Sequence, residues 1–118
     1  MPFDSTRPGD TETDDLLRTL IEARALIAKP EHWVKGLPPG DGTFCAGMAA
    51  DLAAMRRDDL GPAVRLALSS RTLAWLQQAL PIGWIGIVAY NDRPDTSHAD
   101  ILALYDRAIA KRREALNG

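Results

Sequence analysis

Cysteine is nearly absent from this sequence. Cys45 stands alone among 118 residues, which excludes an internal disulfide framework and a multi-cysteine zinc site. Long apolar runs are missing too. The longest, Pro81 to Tyr90, is about half of what a membrane-spanning helix needs. Aromatic residues are sparse, with three Trp, two Tyr and two Phe. Neither sign of charge dominates, because 14 basic residues against 16 acidic ones leave −2. So weak a balance gives no electrostatic case for nucleic acid or for an anionic membrane surface. The opening residues, MPFDSTRPGD, lack the basic start and apolar stretch of a secretory signal. Internal repeats and low-complexity tracts are also lacking.

What is present is a globular composition, 46% hydrophobic and 25% charged. The length suits one domain that hides roughly two thirds of its unfolded surface. The expectation is a cytoplasmic protein with a flexible N-terminal tail over residues 1–10 and a single domain over residues 11–118.

Helical spacing organises most of that domain. Leu16, Leu20, Ala23 and Ile27 form an apolar stripe, widened by Leu17 and Ile21, and predict a first helix from Thr13 to Lys29. Thr11 or Thr13 would cap it, Glu12, Asp14 and Asp15 suit its positive end, and Pro30 stops it. Residues 31–43 read as a Gly/Pro-rich loop pinned by Trp33. An alanine-rich helix is expected from Phe44 to Arg57, with Met48, Leu52 and Met55 on one face and Ala49 and Ala53 permitting close approach. Gly61 and Pro62 have the chemistry of a cap and a first-turn proline. Residues 62–80 read as one helix with a polar patch, or as two pieces split at Ser69 or Ser70. Residues 82–90 read as a buried, irregular or short helical segment, since no partner strand is in sight. Asn91-Asp92-Arg93-Pro94-Asp95 is turn chemistry. Asn91 and Asp92 are expected to hold the 91–97 loop by bonds to nearby backbone, with a partly buried Tyr90 tying it to the core. Thr96 or Ser97 opens a last helix, Ser97 and Asp100 form a variant capping box, and Ile101, Leu104, Tyr105, Ala108 and Ile109 supply its stripe. The predicted fold is all-α: one compact domain of four to five helices, with the Gly/Pro-rich loop after the first.

Motifs that carry chemistry are few. Cys45 lies near a helix start, where backbone N–H groups favour a thiolate. With His98 as base and Asn91 or Asp92 as orienter, it can be drawn as a nucleophilic triad. The competing reading makes Cys45 a small buried residue, Asn91 and Asp92 turn formers, and His98 a surface residue. A metal site from His32, Cys45, His98 and a carboxylate lacks any close-spaced ligand pair. The loop GLPPGDG, residues 36–42, lacks the lysine and hydroxyl residue of a phosphate-binding loop. Arg56-Arg57 and Lys111-Arg112-Arg113 stand where helix C-termini prefer cations, so they read as solvated helix ends rather than a nucleic-acid patch. Trp33, Tyr90, Asn91 and Asp92 can form a ligand rim with aromatic walls and polar recognition groups, His98 beside them. Core filling and turn structure are the simpler reading of the same residues.

The order of motifs resembles a family of small bacterial and phage proteins catalogued only as a domain of unknown function. The matching residues are Trp33 and Gly36, then Cys45, Ala46, Gly47 and Met48. The C-terminal block is Tyr90, Asn91, Asp92, Pro94, Ser97, His98, Ala99 and Asp100, followed by Ile101, Leu104, Arg107, Ala108 and Ile109. The family usually has Trp where this chain has Tyr90. The resemblance implies a fold boundary and a site, and it carries no mechanism. The sequence therefore favours a non-catalytic binding or interaction module of a bacterium or phage over an enzyme. The runner-up is a small cysteine-dependent hydrolase or transferase using Cys45 with His98. No cofactor, metal, nucleic acid or membrane is implied; a protein partner, a small ligand and a homo-oligomer stay open.

Overall fold

The computed structural model describes residues 14–35, 42–81, 83 and 86–117. The expected N-terminal tail, the threonine caps at Thr11 and Thr13, most of the GLPPGDG loop, and Ile82, Trp84 and Ile85 lie outside the described residues. The described part is an all-α domain with five α-helices: α1 Asp15–Leu26, α2 Ala46–Met55, α3 Pro62–Gln78, α4 Ile87–Asp92 and α5 His98–Asn117. A single 3-10 turn, Pro30–His32, follows α1.

α1 is shorter than its pattern predicts at both ends. Asp14 caps it, its Oδ2 accepting from the Leu17 N–H at 2.8 Å. At the other end Ile27 already leaves the helix, and Lys29 is extended (φ −93°, ψ 138°) because it precedes Pro30. The stripe Leu16, Leu17, Leu20, Ala23 and Ile27 is buried as expected, but Ile21 is left 41% exposed.

α2 lies at the centre and packs against α1, α3 and α4. The expected face of Met48, Leu52 and Met55 is not the one buried. Ala46, Ala49, Ala50, Ala53 and Ala54 face inward, and Met48 is 40% exposed. A helix flanked on several sides needs small side chains toward its neighbours, so that backbones approach to about 8 Å. Cys45 is the cap and not a first-turn residue. Its Sγ accepts from the Met48 N–H at 3.4 Å.

α3 is one unbroken helix with Gly61 as cap and Pro62 in its first turn. The polar run does not split it, because the inward hydroxyls are satisfied. Ser69 Oγ donates to Asp51 Oδ1 on α2 at 2.6 Å, and Thr72 Oγ1 donates to the Leu68 carbonyl at 2.7 Å. At the end of α2, Arg57 is not a solvated cation. It is 6% exposed and pairs with Asp15 at 3.0 Å and Asp59 at 2.8 Å.

The long helix α5 closes over α1 and α3. Its capping box forms as read: the Ser97 N–H donates to Asp100 Oδ2 at 2.9 Å, and the Asp100 N–H donates to Ser97 Oγ at 3.1 Å. Ile101, Leu104, Tyr105, Ala108 and Ile109 are buried. Arg112 grips the Asp14 carboxylate with Nε at 2.9 Å and Nη2 at 2.7 Å, its guanidinium 5.1 Å from the Trp75 ring centroid. The Trp75 indole N–H donates to the Ala108 carbonyl at 2.9 Å, and Arg107 Nε donates to the Ala79 carbonyl at 3.1 Å.

Candidate functional site

The residues singled out in the sequence converge where the 27–35 segment, the start of α2, the short helix α4 and the first turn of α5 meet. The segment is shaped by the 3-10 turn at Pro30–His32 and by a one-residue parallel bridge between Trp33 and Phe44. In that bridge the Val34 N–H donates to the Phe44 carbonyl at 3.1 Å, and the Phe44 N–H to the His32 carbonyl at 2.8 Å. The two ends of the Gly/Pro-rich loop are thereby fixed side by side.

Asn91 is the centre of this region. The local sequence predicts a turn former bonding to its own loop; in the fold its bonds run mainly to other segments. Asn91 lies inside α4 and is fully buried, at 0% exposure. Its Oδ1 accepts from the Trp33 indole N–H at 2.7 Å and from the Ala46 N–H at 3.0 Å. Its Nδ2 donates to the Val34 carbonyl at 3.1 Å and to Asp92 Oδ1 at 2.9 Å. A primary amide offers two acceptor lone pairs and two N–H donors, so all four capacities are used. One side chain thus joins the 33–34 segment, the first N–H of α2 and α4.

The turn after α4 is held from outside. Lys35 Nζ donates to the carbonyls of Arg93 at 2.7 Å and Pro94 at 3.0 Å. The same ammonium sits 5.7 Å from the centroid of the Trp33 ring. Tyr90 is buried at 9% exposure, on the same short helix. Nothing local in the sequence marks Lys35, because its partners are 58 and 59 residues away.

His98 is the first residue of α5. Its Nε2 lies 2.6 Å from the Ile27 carbonyl oxygen. A carbonyl only accepts, so Nε2 carries the proton. The ring rests against Trp33 at 5.8 Å between centroids, tilted by 42°. Cys45 is buried and its sulfur accepts from the Met48 N–H. Next to it, the Tyr105 hydroxyl donates to the Ala46 carbonyl at 2.7 Å. Burial, and secondarily the nearby Cys45, push the Tyr105 phenol well above its ordinary range, so it stays a neutral donor. Among the described residues, no group of three or more His, Cys, Asp or Glu side chains is arranged to hold a metal ion.

Trp33, Asn91, Asp92 and His98 are therefore brought together, with Cys45 beside the same helix start. The polar atoms of Asn91, the Cys45 sulfur and His98 Nε2 are engaged by the protein's own groups, most of them backbone. What faces outward is the half-buried set Trp33, Lys35 and His98.

A family model described as a family of unknown function, DUF6197, matches residues 11–111. The chain belongs to this family. Searches of curated proteins and of solved structures gave no match.

Proposed function

We propose that this member of the family is a non-catalytic binding module that presents the Trp33, Lys35 and His98 face to a protein partner. The observation that carries the reading is the commitment of the chemistry-bearing residues to internal bonds. His98 Nε2 donates to the Ile27 carbonyl, the Cys45 sulfur accepts from the Met48 N–H, and Asn91 is saturated. A nucleophile and its base need a hydrogen bond to one another, and these groups bond elsewhere. The same bonds fix an aromatic ring, a cation and an imidazole side by side on the half-buried face of Trp33, Lys35 and His98. Such sets recognise partners through stacking and charge. The resemblance to small bacterial and phage proteins favours an accessory protein working in the cytoplasm.

Two experiments test the proposal. Affinity purification from the native host should retain a protein partner. Titration of the labelled domain with that partner should shift the NMR signals of the Trp33 indole N–H, Lys35 and His98. No retained partner, or shifts confined to other surfaces, overturns the reading. Rapid alkylation of Cys45 by iodoacetamide near neutral pH would restore the cysteine-dependent enzyme as the better account.

A further inference from the structure

Polar bonds from other segments hold the short helix α4 in place. It has six residues, too few to persist as a helix without tertiary support. It buries two apolar side chains, Ile87 and Tyr90, where α5 buries five. Val88 is 60% exposed, Ala89 is exposed, and the cap, Gly86, has no side chain to close the helix start. At the other end Arg93 is extended (φ −62°, ψ 136°), so α4 does not run on into α5. α5 closes its own start with Ser97 and Asp100. It is fastened by His98 to the Ile27 carbonyl, by the Tyr105 hydroxyl to the Ala46 carbonyl and by Arg112 to Asp14. None of these bonds involves residues 86–96.

We propose that residues 86–96 are a strap that opens as one unit while α1, α2, α3 and α5 stay folded, and that its closure completes the Trp33 and Lys35 surface. Two sets of bonds tie the strap down. In its middle, the Asn91 amide bonds to Trp33, Ala46 and Val34. Near its end, the carbonyls of Arg93 and Pro94 accept from Lys35 Nζ. Asn91 Oδ1 serves Trp33 and Ala46 at once, so withdrawing the side chain breaks both bonds, and the Val34 bond with them. Opening therefore takes the acceptor from the Trp33 indole N–H and two carbonyls from the Lys35 ammonium, while His98 stays with α5. It re-exposes only Ile87 and Tyr90 from the apolar core of α4, so it needs less free energy than global unfolding. The strap thus switches the face between a fixed and a dismantled arrangement. Opening is a property of the free chain, so it stands or falls separately from whether a partner binds there.

Native-state hydrogen exchange of the full chain, followed by NMR, is the test. Three protons on three segments report on the strap. Trp33 Nε1–H and the Ala46 N–H are both held by Asn91 Oδ1, and the Tyr90 N–H is held by the Gly86 carbonyl. The expected result is one common opening equilibrium for all three, at least about tenfold more open than that of the buried Ala53 and Leu104 amides. Unequal values among the three would mean that no common unit exists. Values equal to those of Ala53 and Leu104 would mean that the segment opens only with the whole fold. Either result overturns the proposal. Lys35→Met removes the bonds near the end of the strap and should raise opening at all three protons together, by about tenfold. Arg112→Gln breaks a pair that survives strap opening. It should speed exchange at Ala53 and Leu104 and leave the three strap protons unchanged. An unequal or absent response to Lys35→Met, or a response of the strap protons to Arg112→Gln, would refute the strap.

Discussion

Replacing Asn91 by alanine is the sharpest probe of how this domain holds together. The substitution removes an amide that accepts from Trp33 Nε1 and the Ala46 N–H and donates to the Val34 carbonyl and Asp92. The Ala46 N–H is buried with it, and a buried donor left without an acceptor costs about 1–3 kcal/mol. Trp33 and Val34 are half-buried, so water replaces part of those bonds and each loss costs about 0.5–1 kcal/mol. The void left in a closed site adds about 1 kcal/mol. The expected loss is about 4 kcal/mol, a large share of the roughly 5–15 kcal/mol that stabilises a small domain. For a chain of this length it corresponds to a melting temperature lower by roughly 15 °C. Urea denaturation followed by circular dichroism at fixed pH gives the number directly. A loss below about 1 kcal/mol with an unchanged denaturant slope would refute the reasoning. Asn91→Asp supplies a second check. It keeps an acceptor toward Trp33 but aims a carboxylate oxygen at the Val34 carbonyl and at Asp92. Its buried carboxyl should titrate above the usual range, so the variant should regain stability as pH falls.

Cys45→Ser replaces a weak sulfur acceptor by a hydroxyl favoured at helix caps, and should change stability by less than about 1 kcal/mol in urea melts. Cys45→Ala, which leaves the Met48 N–H without its acceptor, should be the less stable of the two. The hydrogen bonds from Arg112, the leading cause, hold the Asp14 carboxyl below its ordinary value. Stability from this pair is thus present above the unfolded carboxylate pKa and is lost as pH falls through the lower folded value. In wild type the urea midpoint should drop on acidification, and Arg112→Gln should show a smaller drop from a lower starting stability. Gly47→Ala is expected to be neutral or stabilising by up to about 1 kcal/mol. Among the described residues the added Cβ meets Ile87 Cγ2 at 3.6 Å and Leu73 Cδ2 at 3.7 Å, both ordinary contacts, and a lower melting temperature would show that these neighbours cannot accommodate it.

The helical architecture was legible because period and punctuation agree. Gly61-Pro62 opens α3, and Ser97 with Asp100 opens α5, where such residues belong. What misled was any choice that depended on distant neighbours. α2 is apolar on both sides, so periodicity alone picks the larger side chains as the inner face. Packing between several helices picks the alanines. Arg57 stands where a helix end favours a cation; Asp59 is a near partner, but nothing nearby shows that the guanidinium will be buried and paired with the distant Asp15 as well. Thr11 and Thr13 are good caps in principle, but Asp14 performs that role and binds Arg112 as well. Asn91-Asp92 with Pro94 is a turn signal by every local rule. In the fold Asn91 is the last turn of a helix, and its principal partners lie 45 to 58 residues away.

That displacement changes what the most specific part of the sequence pattern means. Trp33, Cys45-Ala46, Tyr90-Asn91 and His98 lie in three separate stretches of the chain. The structure joins them through backbone groups: Asn91 to Ala46 and Val34, His98 to Ile27, Lys35 to Arg93 and Pro94. Each of these bonds needs a particular donor or acceptor at a fixed position, so the residue types are constrained without any ligand. A motif can therefore be demanding in sequence and still have assembly as its first duty. Function is then to be sought in the atoms this network leaves facing outward. On this side of the domain those belong to the half-buried Trp33, Lys35 and His98. A substitution that alters them while sparing Asn91 separates recognition from folding; one at Asn91 cannot.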